Sequence, residues 1–443
     1  MKLNSFKKIH FIGCGGAGMF PLAAIMQQRG FEVSGSDLNS NEKTTKLSSL
    51  GVNVFIGHNE TNLPKVNDKN EILVVFSSAV NKQNIEFKLA KELNYIMLRR
   101  GEFLALMAST YQNVISVSGS HGKTSITAMT VFLFNYFKIN ASWVIGGEVV
   151  DSITSFNCAN DNNIFITEVD ESDGTHTFIN SSIALIPNIE DDHSWSVGGS
   201  KALMKNFKKY ANQATKIFTI KNKYPKGFWN NFCGNLNVLN AINNIDNAKK
   251  YQFGAEIINS WGFYQMENAL LAAYAVNEFG VCIKDAIKAL ENFSGIKRRA
   301  IKHFQSDKLT IIEDYAHHPT EVHSIVSTVK RCNPNKEIWI IFQPHRYARL
   351  EKYLNEFAKE LSCANRVFIA EVFAAWVEKN DVDSSTLCKL ITVPSENITI
   401  NFDLESKKII QKIDKSDNEK IILILGAGDI DKLLNKILEH YQK

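Results

Sequence analysis

Val114-Ile-Ser-Val-Ser-Gly-Ser-His-Gly-Lys-Thr-Ser125 is an apolar run that breaks at glycine, presents a lysine and a hydroxyl, and leads into the apolar pattern of Ile126 to Tyr136. This order predicts a strand, a tight loop and a helix. Gly119 and Gly122 let the backbone curl until its N–H groups converge on phosphate oxygens at the positive end of the helix starting near Lys123. In such a cradle the amides of Gly119, Ser120, His121, Gly122 and Ser125 line the turn, Lys123 reaches the β and γ phosphates, and the Thr124 hydroxyl holds Mg²⁺. The general phosphate-loop pattern has a glycine where Val117 stands, so the match is to a shortened form, Gly-Ser-His-Gly-Lys-Thr. A plain strand-turn-helix connection with one chance lysine is the alternative for this stretch taken alone.

Length and composition set the frame around it. At 443 residues the chain predicts roughly three domains of ~150 residues each. Fifty basic and 46 acidic residues leave a formal charge of only +4 with the lysines dispersed, which argues against nucleic acid or a membrane surface as partner. No apolar stretch approaches the ~20 residues of a membrane helix. The opening Met1-Lys-Leu-Asn-Ser-Phe-Lys-Lys lacks the apolar core of a signal peptide. Seven cysteines scattered from Cys14 to Cys388 without C-x-x-C spacing disfavour a disulfide framework and a zinc site. A reduced, cytoplasmic protein is expected, as a monomer or weak homodimer.

Strand and helix patterns alternate in three blocks, which predicts an α/β protein: an N-terminal Rossmann-like parallel sheet in 1–110, a central P-loop ATPase-type domain in 111–295 and a C-terminal Rossmann-like domain in 296–443. In the first block, the strand from Ile9 ends at Gly13-Cys-Gly-Gly-Ala-Gly18 and a second strand ends at Asp37, about twenty residues on, as in a dinucleotide fingerprint. Further strands end at Ser77 and near Arg100. Strand ends are where open α/β sheets bind ligands, so these polar residues are expected to line one crevice.

The central block adds two strands with acidic ends, one closing in Glu168-Val-Asp-Glu-Ser-Asp173 and one in Asn188-Ile-Glu-Asp-Asp-His193 after Pro187. Phosphate transfer needs hard oxygen ligands for Mg²⁺ beside the loop; Glu168 can supply one, and His193 can reach the same region. Taken singly, four carboxylates in six residues predict a solvated loop. In the third block, strands end at Asp314-Tyr-Ala-His-His-Pro-Thr-Glu321, at Gln343-Pro-His-Arg-Tyr-Ala-Arg349 and at Gly426-Ala-Gly-Asp-Ile430. Histidine and arginine at two strand ends make a cationic pocket suited to a carboxylate, and Pro319 fits a first helical turn.

This ordered set of motifs, together with Lys297-Arg-Arg299, is similar to the Mur ligases of peptidoglycan synthesis over nearly the whole chain. Within the family the similarity is greatest to members that add L-alanine to UDP-N-acetylmuramate. The resemblance implies an ATP- and Mg²⁺-dependent ligase in which the sugar carboxylate takes the γ-phosphoryl group and the amine of L-alanine then displaces phosphate. Holding the amine near the acyl phosphate and away from water asks for proximity, with domain closure as its expected source. Carried over by position, Lys123 resembles the phosphate-binding lysine, Thr124 and Glu168 the Mg²⁺ ligands, and His193 the ligand of a second metal. Asn268 matches an adenine contact, and Arg298 and Asp314 match nucleotide contacts of the third domain. His317, Arg346 and Arg349 fall at the amino-acid site; Gly15, Gly16, Asp37, Ser77 and Arg100 fall at the UDP-sugar site.

Four departures bear on activity. Glu267 stands where the family has a histidine, and an anion there would repel a triphosphate unless screened or turned away. The segment from Lys221 to Trp261 is short and Asn-rich, so part of the central domain's outer sheet is expected to be missing. Ser194-Trp-Ser-Val-Gly-Gly and Ala374-Ala-Trp-Val377 also differ from the family. Two other functions stay open at this point. One is the related ligase that attaches a recycled tripeptide to the same sugar, a subgroup without the Phe342-Gln-Pro-His-Arg-Tyr347 run. The other is a nucleotide-binding paralogue without ligase activity, against which Lys123, Thr124, Glu168 and His193 argue together. A dehydrogenase leaves the second phosphate loop unexplained.

Overall fold

Near-continuous apolar runs become buried strands of three sheets in the computed structural model, which describes residues 1–150, 153–192, 194–374, 382–399 and 401–442. Strands β1 (Lys8–Ile12), β2 (Glu32–Asp37), β3 (Asn53–Ile56), β4 (Ile72–Phe76) and β5 (Ile96–Arg99) form a parallel sheet in the order β3-β2-β1-β4-β5. The order reverses between β1 and β4, so a crevice opens beyond their carboxyl ends. The glycine loop after β1 lies there.

Strands β6 (Asn113–Val117), β7 (Ser142–Val144), β8 (Phe156–Asn157), β9 (Ile164–Glu168), β10 (Ser181–Ile186), β11 (Ala214–Ile220) and β12 (Asn235–Leu239) make the second sheet, ordered β12-β11-β10-β6-β9-β7-β8. Its pairs are parallel except β7 with β8. The strand that carries the phosphate loop, β6, is therefore central, and β9 and β10 flank it. One apolar cluster runs from Phe11 and Phe103 through Phe165 to Phe207 and joins both sheets. Phe20 meets Phe156 edge-on with centroids 5.4 Å apart.

The third sheet contains β13 (Ile301–Gln305), β14 (Leu309–Asp314), β15 (Glu337–Phe342), β16 (Arg366–Ala370), β17 (Ser395–Ile398) and β18 (Lys420–Leu425), in the order β13-β14-β18-β15-β16-β17. Only β13 runs antiparallel to its neighbour. Side chains alternate between two cores: Ile338, Ile340 and Phe342 enter one with Ile421, Leu423 and Leu425, whereas Trp339 and Ile341 enter the other with Ile422 and Ile424. Both faces are covered, which is why these strands read as unbroken apolar runs. By compactness the chain forms two units, Met1–Phe253 with Glu267–Ser294, and Gly254–Met266 with Gly295–Lys443.

Pro187 follows directly on β10, and Pro319 opens the helix Pro319–Cys332 behind His318, as expected from proline's fixed φ. The Asn-rich segment after Lys221 supplies the edge strand β12 and the short helices Ile245–Lys250 and Ala255–Ser260. Among the described residues no helix is long and apolar enough to cross a membrane.

Candidate active site

The loop after β6 needs glycine twice. A Cβ at Gly119 would lie 2.9 Å from the Asn188 carbonyl oxygen and from the Pro187 ring. Gly122 takes φ +85°, and a Cβ there would lie 2.8 Å from Asn268 Oδ1. Asn188 clamps the turn, accepting from the His121 amide at 2.8 Å and donating to its carbonyl at 3.1 Å. Ser120 Oγ accepts from the Glu190 amide at 2.8 Å. The helix Lys123–Tyr136 then begins with no side-chain cap, which leaves its dipole and first-turn amides to an anion.

Lys123 Nζ donates to Gly119 O at 2.8 Å, to Ser120 O at 3.4 Å and to Glu171 Oε2 at 2.7 Å. Burial alone would lower its pKa, but Glu171, Asp170 and Glu168 hold the ammonium above its usual range. Beside it, Thr124 Oγ1 donates to Glu168 Oε2 at 2.7 Å. Burial pushes the Glu168 carboxyl up, against the Thr124 hydrogen bond and the Lys123 charge. Gly146 makes room for this carboxylate, since a Cβ there would lie 1.5 Å from Glu168 Oε1. A hydroxyl and a desolvated carboxylate side by side form a hard-oxygen pair that fits Mg²⁺, and the glycine-lined loop with its ammonium fits a triphosphate. His193 lies outside the described residues.

The acids from Glu168 to Asp173 are not the solvated loop that their density predicted. Glu171 is fully buried, and burial pushes its carboxyl up from the usual carboxylate range while the Lys123 ammonium, 2.7 Å away, opposes the rise and holds the ion pair. The cause is Lys123, which draws the acid loop inward. Asp173 Oδ2 accepts from Arg100 Nη2 at 2.7 Å, and the Arg100 stem packs beside Gly18, where a Cβ would meet its Cδ at 2.9 Å. Arg100 thus ties the first glycine loop to the acid loop. Within that first loop the Gly15 amide donates to Asp37 Oδ2 at 2.8 Å, Gly13 takes φ +83° against Ser77, and Gly16 is exposed. Gly15, Gly16, Asp37, Ser77 and Arg100 therefore gather at the ends of β1, β2, β4 and β5. Behind them Glu86, fully buried, accepts from Ser36 Oγ at 2.5 Å and Asn62 Nδ2 at 2.6 Å and pairs with His10. Burial would raise Glu86, yet these hydrogen bonds bring it down to about 2.

Glu267 is turned away from the phosphate loop. Its Oε1 accepts from the Ile242 amide at 2.9 Å and its Oε2 lies 3.2 Å from Lys223 Nζ, so the anion is screened. Asn268, next in sequence, packs on Gly122 instead.

The second unit gathers its own cluster at strand ends. After β14, the His317 amide donates to Glu321 Oε2 at 3.0 Å, and Nδ1 lies 3.0 Å from Tyr315 O, which assigns the proton to Nδ1 and leaves Nε2 as an acceptor. Burial brings His317 down to about 4 despite Glu321, so the ring is neutral. After β15, Arg349 is buried with Nη1 3.4 Å from His345 Nδ1, and Arg346 takes φ +68°, a strained conformation away from glycine. The His317 and His345 rings stand 5.7 Å apart, and His345 stacks on Phe373. Arg298 donates to Glu313 and to the Gly426 carbonyl, both at 2.8 Å. Asp314 accepts from the Ala300 and Ala316 amides and is pushed by burial to about 6 against Arg299. Glu171 and Gly146 are the site residues that sequence reasoning missed. The Gly146-Gly147 pair after a short apolar run was the signal for the second.

Residues 8–112 match the family model described as Mur ligase family, catalytic domain, and residues 298–428 match that described as Mur ligase, glutamate ligase domain. The UDP-N-acetylmuramate–L-alanine ligase of Buchnera aphidicola subsp. Baizongia pistaciae is 31% identical over 98% of this chain and 95% of its own length. That of Caldicellulosiruptor bescii is 32% identical over 98% of each chain. Among solved structures, a UDP-N-acetylmuramate-alanine ligase from Thermotoga maritima superposes with a TM-score of 0.76 at 24% identity, covering 98% of this chain and 99% of its own. A murein peptide ligase from Psychrobacter arcticus superposes with a TM-score of 0.62 at 21% identity, covering 98% of both.

Proposed function

The chain belongs to the Mur ligase family, and from that membership we propose that it joins L-alanine to the carboxylate of UDP-N-acetylmuramate at the expense of ATP, in the cytoplasm. The observation that carries the phosphoryl step is the loop after β6, where Lys123, Thr124 and Glu168 stand together at strand ends. A sugar carboxylate oxygen attacks the γ-phosphorus, the bond to the ADP oxygen breaks, and an acyl phosphate results. The Lys123 ammonium and the loop amides offset charge on the moving phosphoryl group. Mg²⁺ bound by Thr124 and Glu168, with His193 at a second ion, would neutralise further phosphate charge. Asn268 would meet the adenine, with Arg298 and Asp314 as further nucleotide contacts.

In the second step the amine attacks the acyl carbon, inorganic phosphate leaves, and the nitrogen gives up a proton. Arg346 and Arg349 are suited to fork onto the alanine carboxylate, and neutral His317 can accept a hydrogen bond from the ammonium at Nε2. The five residues at the first glycine loop would hold the UDP-sugar.

Phosphate release should require UDP-N-acetylmuramate, L-alanine, ATP and Mg²⁺ together. Turnover with alanine left out, or with only a tripeptide accepted in its place, contradicts the assignment. Arg346→Ala should raise KM for alanine on the order of a hundredfold while leaving KM for ATP near its original value. Unchanged alanine kinetics would remove the second unit's cluster from the amino-acid site.

A further inference from the structure

Glu171 is a fully buried carboxylate for which the ligase reaction assigns no task. Its Oε2 lies 2.7 Å from Lys123 Nζ, and its Oε1 is buried without a hydrogen-bond partner. The other two protons of the ammonium point at Gly119 O, 2.8 Å away, and Ser120 O, 3.4 Å away. All three N–H groups of Lys123 are thus directed at the protein itself. A phosphate oxygen needs at least one of them, so nucleotide has to displace an acceptor. The long contact to Ser120 O gives way readily. The contact to Glu171 does not, because the second carboxylate oxygen already lacks a donor and the anion would be left buried with less compensation.

We propose that Glu171 is a positioning residue for phosphoryl transfer: acting through Lys123, it fixes the ammonium at the loop for the transition state and, as a buried anion, opposes nucleotide binding in the ground state. The inference rests on the phosphate-transfer reading of the loop. It separates two quantities that a structural role would move together. An amide at this position keeps the shape and can still accept from Lys123, but it no longer repels a polyphosphate or holds the ammonium by charge.

The test measures MgADP affinity by titration calorimetry and kcat by phosphate release, on the full chain and on Glu171→Gln. The dissociation constant for MgADP should fall about tenfold, equivalent to one pK unit of lost repulsion. kcat should fall by about tenfold or more while KM for ATP also falls, the signature of relieved ground-state strain. Glu171→Asp keeps the charge on a shorter stem, so it should bind MgADP no more tightly than the parent. Glu171→Ala reads the same quantities if the amide variant does not fold. Weaker or unchanged MgADP binding by Glu171→Gln, or an unchanged kcat, overturns the proposal. MgADP binding needs neither sugar nor alanine. A chain that forms no amide yet binds MgADP more tightly as Glu171→Gln would therefore fail the ligase reading alone.

Discussion

Lys123→Ala is expected to lower phosphate release on the order of a thousandfold with little effect on folding. The ammonium is the one cation within hydrogen-bond reach of the loop carbonyls Gly119 O and Ser120 O among the described contacts, so no neighbour substitutes for it. Its removal also strands Glu171, whose carboxyl burial already pushes up with Lys123 opposing that rise. Without the lysine, the Glu171 pKa should move further up and the group should be protonated at neutral pH, which limits the cost to the fold. Steady-state phosphate release with all substrates saturating measures the loss, and circular dichroism checks the fold. Activity within tenfold of the parent would place the ammonium away from the transferred group.

Gly146→Ala is expected to be nearly as damaging, although the change is a single methyl group. The new Cβ would lie 1.5 Å from Glu168 Oε1, far inside contact distance, so the carboxylate has to rotate away or β7 and β9 must part. Both strands are buried and paired through Val144 with Thr167, so the carboxylate is the softer element. Overpacking costs roughly 1–3 kcal/mol of stability, but the larger consequence is the loss of the Thr124–Glu168 pair. Phosphate release should drop about a hundredfold at low Mg²⁺ and recover in part as Mg²⁺ is raised. A Mg²⁺ dependence identical to that of the parent would exclude Glu168 as a metal ligand.

Much of the architecture follows from local pattern. Buried parallel strands such as β4, β15 and β18 are apolar through their centres because both faces are covered, and their ends fall within a residue or two of the boundaries expected. Short or polar edge strands escaped: β3, β8, β12 and β17 lack an apolar run long enough to stand out, and β13 alternates lysine and histidine with apolar residues. That Lys123, Thr124 and Glu168 come together was readable, because a glycine turn carrying a lysine and a hydroxyl invites an acid at the neighbouring strand end. Glu171 was not, because an acid-rich run looks solvated until one knows that the lysine folds back onto it. Nor could the orientation of Glu267 be inferred. Its carboxylate is held by an amide and a lysine that lie 25 and 44 positions earlier in the chain, a pairing only the folded backbone creates.

Transfer of phosphate to the sugar carboxylate is the step on which the whole mechanism depends, and isotope labelling tests it directly. UDP-N-acetylmuramate carrying ¹⁸O in its carboxylate, incubated with the protein, ATP, Mg²⁺ and L-alanine, should yield inorganic phosphate containing one ¹⁸O atom from the carboxylate for each amide formed. Amide formed with unlabelled phosphate would show that the carboxylate never received the phosphoryl group, and the role given to the loop after β6 would be wrong.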